Sequence, residues 1–91
     1  MTEIKTVKKI DAATAPKLDA QLKELLAAGE DEIIVDMEET TYISSVGLRA
    51  FASAQKKINK IAGSMVLTHV QPCIREIFEV TGFGGVLTIE D

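Results

Sequence analysis

One stretch constrains this chain more than any other: residues 32–51, Glu-Ile-Ile-Val-Asp-Met-Glu-Glu-Thr-Thr-Tyr-Ile-Ser-Ser-Val-Gly-Leu-Arg-Ala-Phe. Ile33, Ile34 and Val35 form a short continuous apolar run, which suits a strand buried on both faces. Asp36 closes the run. A polar loop follows, then Ser44-Ser45, then an amphipathic helix from about Val46. A strand, a loop and a hydroxyl-bearing helix start are the parts from which an open α/β sheet builds its working surface.

Ser44 or Ser45 can be the N-cap, its hydroxyl accepting a hydrogen bond from a free N–H of the first turn. Gly47 falls in that turn, where it is a poor helix former. Two explanations stand. Either something approaches the backbone closely at Gly47, or Ser45 only caps the helix and Gly47 only packs against the loop.

The flanking elements follow from periodicity. Residues 3–10, Glu-Ile-Lys-Thr-Val-Lys-Lys-Ile, mix β-branched residues with Lys5, Lys8 and Lys9, as an edge strand does to discourage pairing with another molecule. Thr14 caps the next helix, Pro16 sits in its first turn, and Leu18, Leu22, Leu25 and Leu26 make one apolar stripe that Gly29 ends. The helix after Ser45 carries Leu48, Phe51, Ala52, Ile58, Ile61 and Ala62 toward the core, and Gly63 ends it. Its other face carries Arg49, Ser53, Lys56 and Lys60, with Lys57 close by, a local basic stripe. A solvated face with cations toward a helix C-terminus gives the same pattern. Residues 64–69 read as a strand, Pro72 starts a short helix with Ile74, Ile77 and Phe78 inward, 81–85 as a turn, and 86–89 as the last strand. The expected fold class is therefore α/β: one small domain over residues 1–91, with a mostly parallel or mixed sheet of about four strands and three helices. The N-terminal strand could pair in either direction.

Composition narrows the function. Ninety-one residues make one domain, and the net charge of −4 with four aromatics and no Trp argues against nucleic acid as the main partner. Apolar runs fall far short of a membrane span, and the opening Met-Thr-Glu-Ile-Lys has no apolar core of a leader behind it. The lone Cys73 rules out an internal disulfide and fits a reducing compartment. The expected location is the cytoplasm.

Catalytic signatures are sparse. Ser45 and the only histidine, His69, could in principle meet, but there is no nucleophile elbow and no clear orienting acid. Cys73 reads as a small buried hydrophobe. No Cys/His cluster has zinc spacing, and no phosphate-binding loop is present, so neither a metal nor a cofactor is expected. Asp36 ends a strand as the acceptor of a response-regulator receiver does, but the acidic pair after a first strand is missing.

Asp11-Ala12-Ala13-Thr14-Ala15-Pro16, Ile33-Ile34-Val35-Asp36, Tyr42-Ile43-Ser44-Ser45-Val46-Gly47-Leu48-Arg49, and Pro72 through Thr81-Gly82-Phe83 together resemble a STAS domain, the domain of bacterial anti-sigma factor antagonists. The resemblance covers about residues 7–89. It implies a non-enzymatic module that binds an anti-sigma factor, usually a serine kinase, until that kinase phosphorylates a hydroxyl at the start of the central helix. The family pattern there is Asp-Ser-Ser/Thr-Gly-Leu. Here Ser44 stands where the acid would be and Val46 carries no hydroxyl, so Ser45 matches the acceptor and Ser44 is the second choice. The partner face is expected to comprise Asp36, Ser44, Ser45, Val46, Gly47, Leu48, Arg49, Lys56 and Lys60. The family's usual first strand, before residue 3, and last helix, after Asp91, are expected to be missing. A monomer or weak dimer is expected, with no direct nucleic-acid contact and no membrane insertion. Two alternatives remain: a STAS partner subunit of a transport or envelope complex, and a small hydrolase using Ser45.

Overall fold

The computed structural model describes residues 1–90. Strand β1 (Thr2–Lys5) is followed by β2 (Lys9–Ile10), helix α1 (Ala15–Ala27), β3 (Glu32–Asp36), β4 (Tyr42–Ile43), α2 (Ser45–Lys60), β5 (Ser64–Thr68), α3 (Pro72–Val80), a 3-10 turn at Phe83–Gly85, and β6 (Thr88–Ile89). Four strands form a sheet in the order β1-β3-β5-β6, and every pairing in it is parallel. The expected α/β class with four principal strands and three helices is what the chain adopts, and the N-terminal strand runs parallel to β3.

The sheet buries one face. Ile33 and Val35 of β3, Met65 and Leu67 of β5, and Ile4 of β1 enter a single core with Leu18, Leu22, Leu48, Phe51, Ile58, Ile74 and Phe78 from the three helices. Ile34 and Val66, pointing the other way, are only half-buried. The Ile-Ile-Val run is thus not a strand buried on both faces; it alternates like a one-sided strand, with a β-branched residue on the outer face.

Residues 3–10 split into two strands rather than one. Apolar residues three apart cannot share one face of a strand. Ile4 enters the main core, Val7 turns outward, and Ile10 drops into a second, two-stranded parallel ladder in which Lys9 and Ile10 pair with Tyr42 and Ile43. This ladder makes part of the expected polar loop a short strand, β4.

The helix ends also differ from expectation. Ile61 and Ala62 lie past α2 and are exposed, so neither joins the core. Ala62 adopts the left-handed conformation (φ 57°). Its N–H bonds Asn59 O at 3.1 Å, and Gly63 N–H bonds Ile58 O at 2.9 Å. This double closure is the Schellman arrangement, with alanine where glycine is usual. Gly63 is small for another reason: a Cβ there would meet the Asp31 carbonyl oxygen at 2.3 Å. Cys73 is exposed rather than buried, because it occupies the outward side of the first turn of α3.

Candidate functional site

The start of α2 projects from the end of β4, fixed by a hydrogen bond from Ser44 N–H to Ile10 O at 2.7 Å. Ser44 is the N-cap: its backbone is extended, and its hydroxyl accepts from Gly47 N–H at 3.3 Å. Ser45 is therefore the first helical residue and its side chain is free of that duty and exposed. The N–H groups of Ser45 and Val46 have no intrahelical acceptor, and no acidic residue lies in the first turn. The positive end of the helix dipole is left without a counter-charge from its own turn.

Gly47 is buried, and the reason lies inside the fold. A Cβ there would come within 2.6 Å of Ile10 Cγ2 and 2.9 Å of Ile43 Cγ1. The β2–β4 ladder by itself requires glycine here. Leu48, at 4% exposure, belongs to the core, and Asp36, at 8%, is held internally. Gly47, Leu48 and Asp36, expected in the partner face, are buried within the domain. Ser45, Val46, Arg49, Lys56 and Lys60 are exposed and Ser44 is partly so. Arg49, Lys56 and Lys60, with the half-buried Ser53, share one helix face, and among the described residues no ion pair engages these three cations.

The loop that delivers α2 is tied on both sides. Toward β1, Thr40, fully buried, donates from its hydroxyl to Val7 O at 2.7 Å and meets the Thr6 hydroxyl. Toward β5, Gln71 Nε2 donates to Glu38 O at 2.6 Å, and His69 Nδ1 lies 3.2 Å from Asp36 Oδ1. That carboxylate oxygen also accepts from Glu38 N–H at 3.0 Å. The Glu38 N–H, with help from His69, holds Asp36 below its ordinary pKa, against the opposing effect of burial. The ring's partner is thus a carboxylate rather than Ser45. Sequence reading missed Thr40 because its partners lie more than thirty positions away. The one available signal was a Thr-Thr pair directly after Glu38-Glu39.

One group among the described residues could hold a metal ion: Asp36, Glu38 and His69 offer one ligand atom each, all within 4.8 Å of one another. Glu38 and His69 are solvent-exposed, and the Asp36 oxygen is already engaged, so the arrangement works as a clasp between the β3–β4 and β5–α3 loops.

Residues 2–91 match the family model of the STAS domain, and the chain belongs to that family. It is 32% identical over 80 residues to BtrV of Bordetella bronchiseptica, provisionally assigned as an anti-sigma factor antagonist, covering 88% of this chain and 69% of that one. It is 27% identical over 89 residues to the anti-sigma-B factor antagonist of Staphylococcus aureus, covering 98% and 82%. Its fold matches the anti-sigma factor antagonist SpoIIAA in the unphosphorylated form (TM-score 0.78, 21% identity, 99% of this chain and 79% of that one). The phosphorylated form matches similarly (TM-score 0.76, 20% identity, 99% and 83%). Among the described residues no helix is long and apolar enough to cross a membrane.

Proposed function

We propose that this domain is an anti-sigma factor antagonist: it binds a kinase-type anti-sigma factor in the cytoplasm through the start and exposed face of α2, and phosphorylation of Ser45 ends the binding. The observation that carries this reading is the open first turn of α2, where an exposed Ser45 hydroxyl stands beside unpaired N–H groups while Ser44 does the capping. Such a turn accepts a phosphate dianion without strain. The match of SpoIIAA to this fold in both its forms fits a switch that leaves the domain folded. A phosphate adds roughly −1.5 to −2 charge at a surface whose exposed cations would otherwise meet an acidic partner.

The test compares Ser45→Ala with Ser45→Asp in thermal melting and in affinity for the anti-sigma kinase of the native cell. Folding should survive in both, and affinity should fall in Asp alone. Phosphopeptide mass spectrometry of the native protein should find the label on Ser45. Label on Ser44 moves the switch by one residue; label on neither, with binding intact, makes the domain a constitutive binder. Charge reversal at Lys56 and Lys60 should slow association and flatten its salt dependence, since such rim charges act mainly on encounter. Unchanged association at low salt would reject the basic stripe as part of the interface.

A further inference from the structure

The reading above leaves open what kind of segment the partner presents, and a groove beside Ser45 speaks to that. Between the first turns of α1 and α2 lies an open groove of about 350 Å³, lined by Pro16, Asp19, Val46, Arg49, Ala50 and Ser53. Its floor is apolar: Pro16, Ala50 and Val46. Val46 is 43% exposed, an aliphatic side chain left to water one residue from the proposed acceptor.

The charges around this groove are unequal in a way that selects an occupant. Asp19, the acid on the α1 wall, is already engaged by Lys23 Nζ at 2.8 Å, one turn along its own helix. Arg49, the cation on the α2 wall, has no ion-pair partner among the described residues. The groove's local anion is therefore compensated and its cation is not, although the whole chain carries −4. Lys56 and Lys60 extend the positive charge along the same exposed face of α2. The shape is too open to enclose a small molecule, which a binding pocket normally surrounds on most sides. It is the shape of a docking groove for a side chain carried on a peptide or helix.

We propose that this groove receives an acidic amphipathic segment of the partner protein, with one aliphatic side chain set between Pro16, Val46 and Ala50 and a neighbouring carboxylate on Arg49. The inference rests on the antagonist reading for where the partner sits, and adds the chemistry of the segment it must present. It also explains why phosphate at position 45 would matter beyond bulk. A dianion at the head of the groove would compete with the partner's carboxylate for Arg49 and repel the rest of the acidic segment.

The experiment places the photo-crosslinker p-benzoylphenylalanine at two exposed positions outside the groove lining, position 56, one turn beyond Ser53 on the same face of α2, and, separately, position 42, beside the start of α2, in the full chain in its native cells, and sequences the crosslinked peptides by mass spectrometry. The position-56 probe is expected to join a peptide with net negative charge and at least one Leu, Ile, Met or Val, from the same protein that the position-42 probe joins. Arg49→Glu and, independently, Ser53→Trp are expected to lower affinity for that protein at least tenfold with melting unchanged. A neutral or basic peptide at position 56, or a peptide from a second copy of this chain, overturns the proposal; so does parent-like binding by Ser53→Trp. If the position-42 probe joins a kinase-fold protein and the position-56 probe joins nothing, the groove proposal falls and the antagonist reading stands. An acidic peptide at position 56 from a protein without that fold keeps the groove and overturns the antagonist reading.

Discussion

The two long helices begin within reach of each other and are finished in opposite ways. At the start of α1, Asp11 Oδ1 accepts from the N–H groups of Ala13 and Thr14 at 3.0 Å each. The Thr14 hydroxyl does not cap its own helix, as the sequence suggested; it accepts from Asp11 N–H at 2.9 Å and donates to Lys9 O at 2.6 Å. Ala15 N–H bonds Asp11 O at 2.8 Å, and Pro16 contributes no N–H at all. Every early donor is used, and a carboxylate sits on the positive end of the dipole. At the start of α2 a single serine caps, two N–H groups stay open, and no acid is near in the turn. The lesson is that hydroxyl plus apolar stripe marks a helix start in both places, while the presence or absence of a local carboxylate separates a sealed start from one able to take an anion.

The largest effect expected from breaking this arrangement is at Gly47. Alanine there gains up to about 1 kcal/mol in helix propensity. It also forces a methyl into Ile10 and Ile43, whose branched side chains lie in the core and have few other rotamers. Overpacking of this kind costs roughly 1–3 kcal/mol, so the net change should be destabilising, and Gly47→Ala should melt several degrees below the parent. An equal or higher melting temperature would show that the β2–β4 ladder yields freely. Next in size is Ser44→Ala, which removes the only side-chain cap of α2 and should cost about 1 kcal/mol, by denaturant unfolding. Ser45→Ala, one residue on, should change stability hardly at all; a loss equal to that of Ser44→Ala would move the cap to Ser45.

How legible was this in the sequence? The four principal strands and three helices could be read because their signals are local: leucines at helical spacing in α1, Pro16 and Pro72 in first turns, and Ile-Ile-Val in β3. The Ser-Ser-Val-Gly-Leu start of α2 was legible for the same reason. The short ladder of β2 and β4 was not, since two-residue strands have no period and their pairing spans more than thirty positions. That ladder is also what makes Gly47 an internal requirement, so of the two explanations the sequence offered the packing one holds, although the residues it packs against could not be read. Asp36 was placed at a strand end and in the partner face; only the fold brings Glu38 N–H and His69 to it.

The ends of the same two helices carry the comparison further. Both close by the Schellman pattern: Glu30 N–H bonds Leu25 O at 3.0 Å and Gly29 N–H bonds Leu26 O at 3.1 Å, matching the closure at Gly63 and Ala62. The left-handed position is Gly29 in α1, at φ 87°, and Ala62 in α2. A Cβ in that conformation costs roughly 1 kcal/mol, partly offset by the greater freedom glycine has when unfolded. Ala62→Gly should therefore stabilise by about 0.5–1 kcal/mol in chemical denaturation, while Gly29→Ala should lose a similar amount. If Ala62→Gly is neutral, the turn is held by its neighbours rather than tolerated by them.

The smallest effect is the most direct probe of the open helix start. Ser45→Asp puts a carboxylate beside the free N–H groups of α2, where a negative charge is worth typically 0.3–1 kcal/mol at low ionic strength. Ala13→Asp adds the same charge to the start of α1, where Asp11 already occupies the donors and would repel it. The first substitution should raise the melting temperature slightly, and the gain should shrink with added salt as screening removes the dipole interaction. The second should give no gain, or a small loss that salt relieves. The signs of the two salt dependences are thus opposite, although the substitutions are chemically alike. Equal gains at both positions would mean that the Asp11 knot does not neutralise α1. No gain at position 45 would mean that solvent already satisfies the open turn, which would weaken the case for a phosphate being held there.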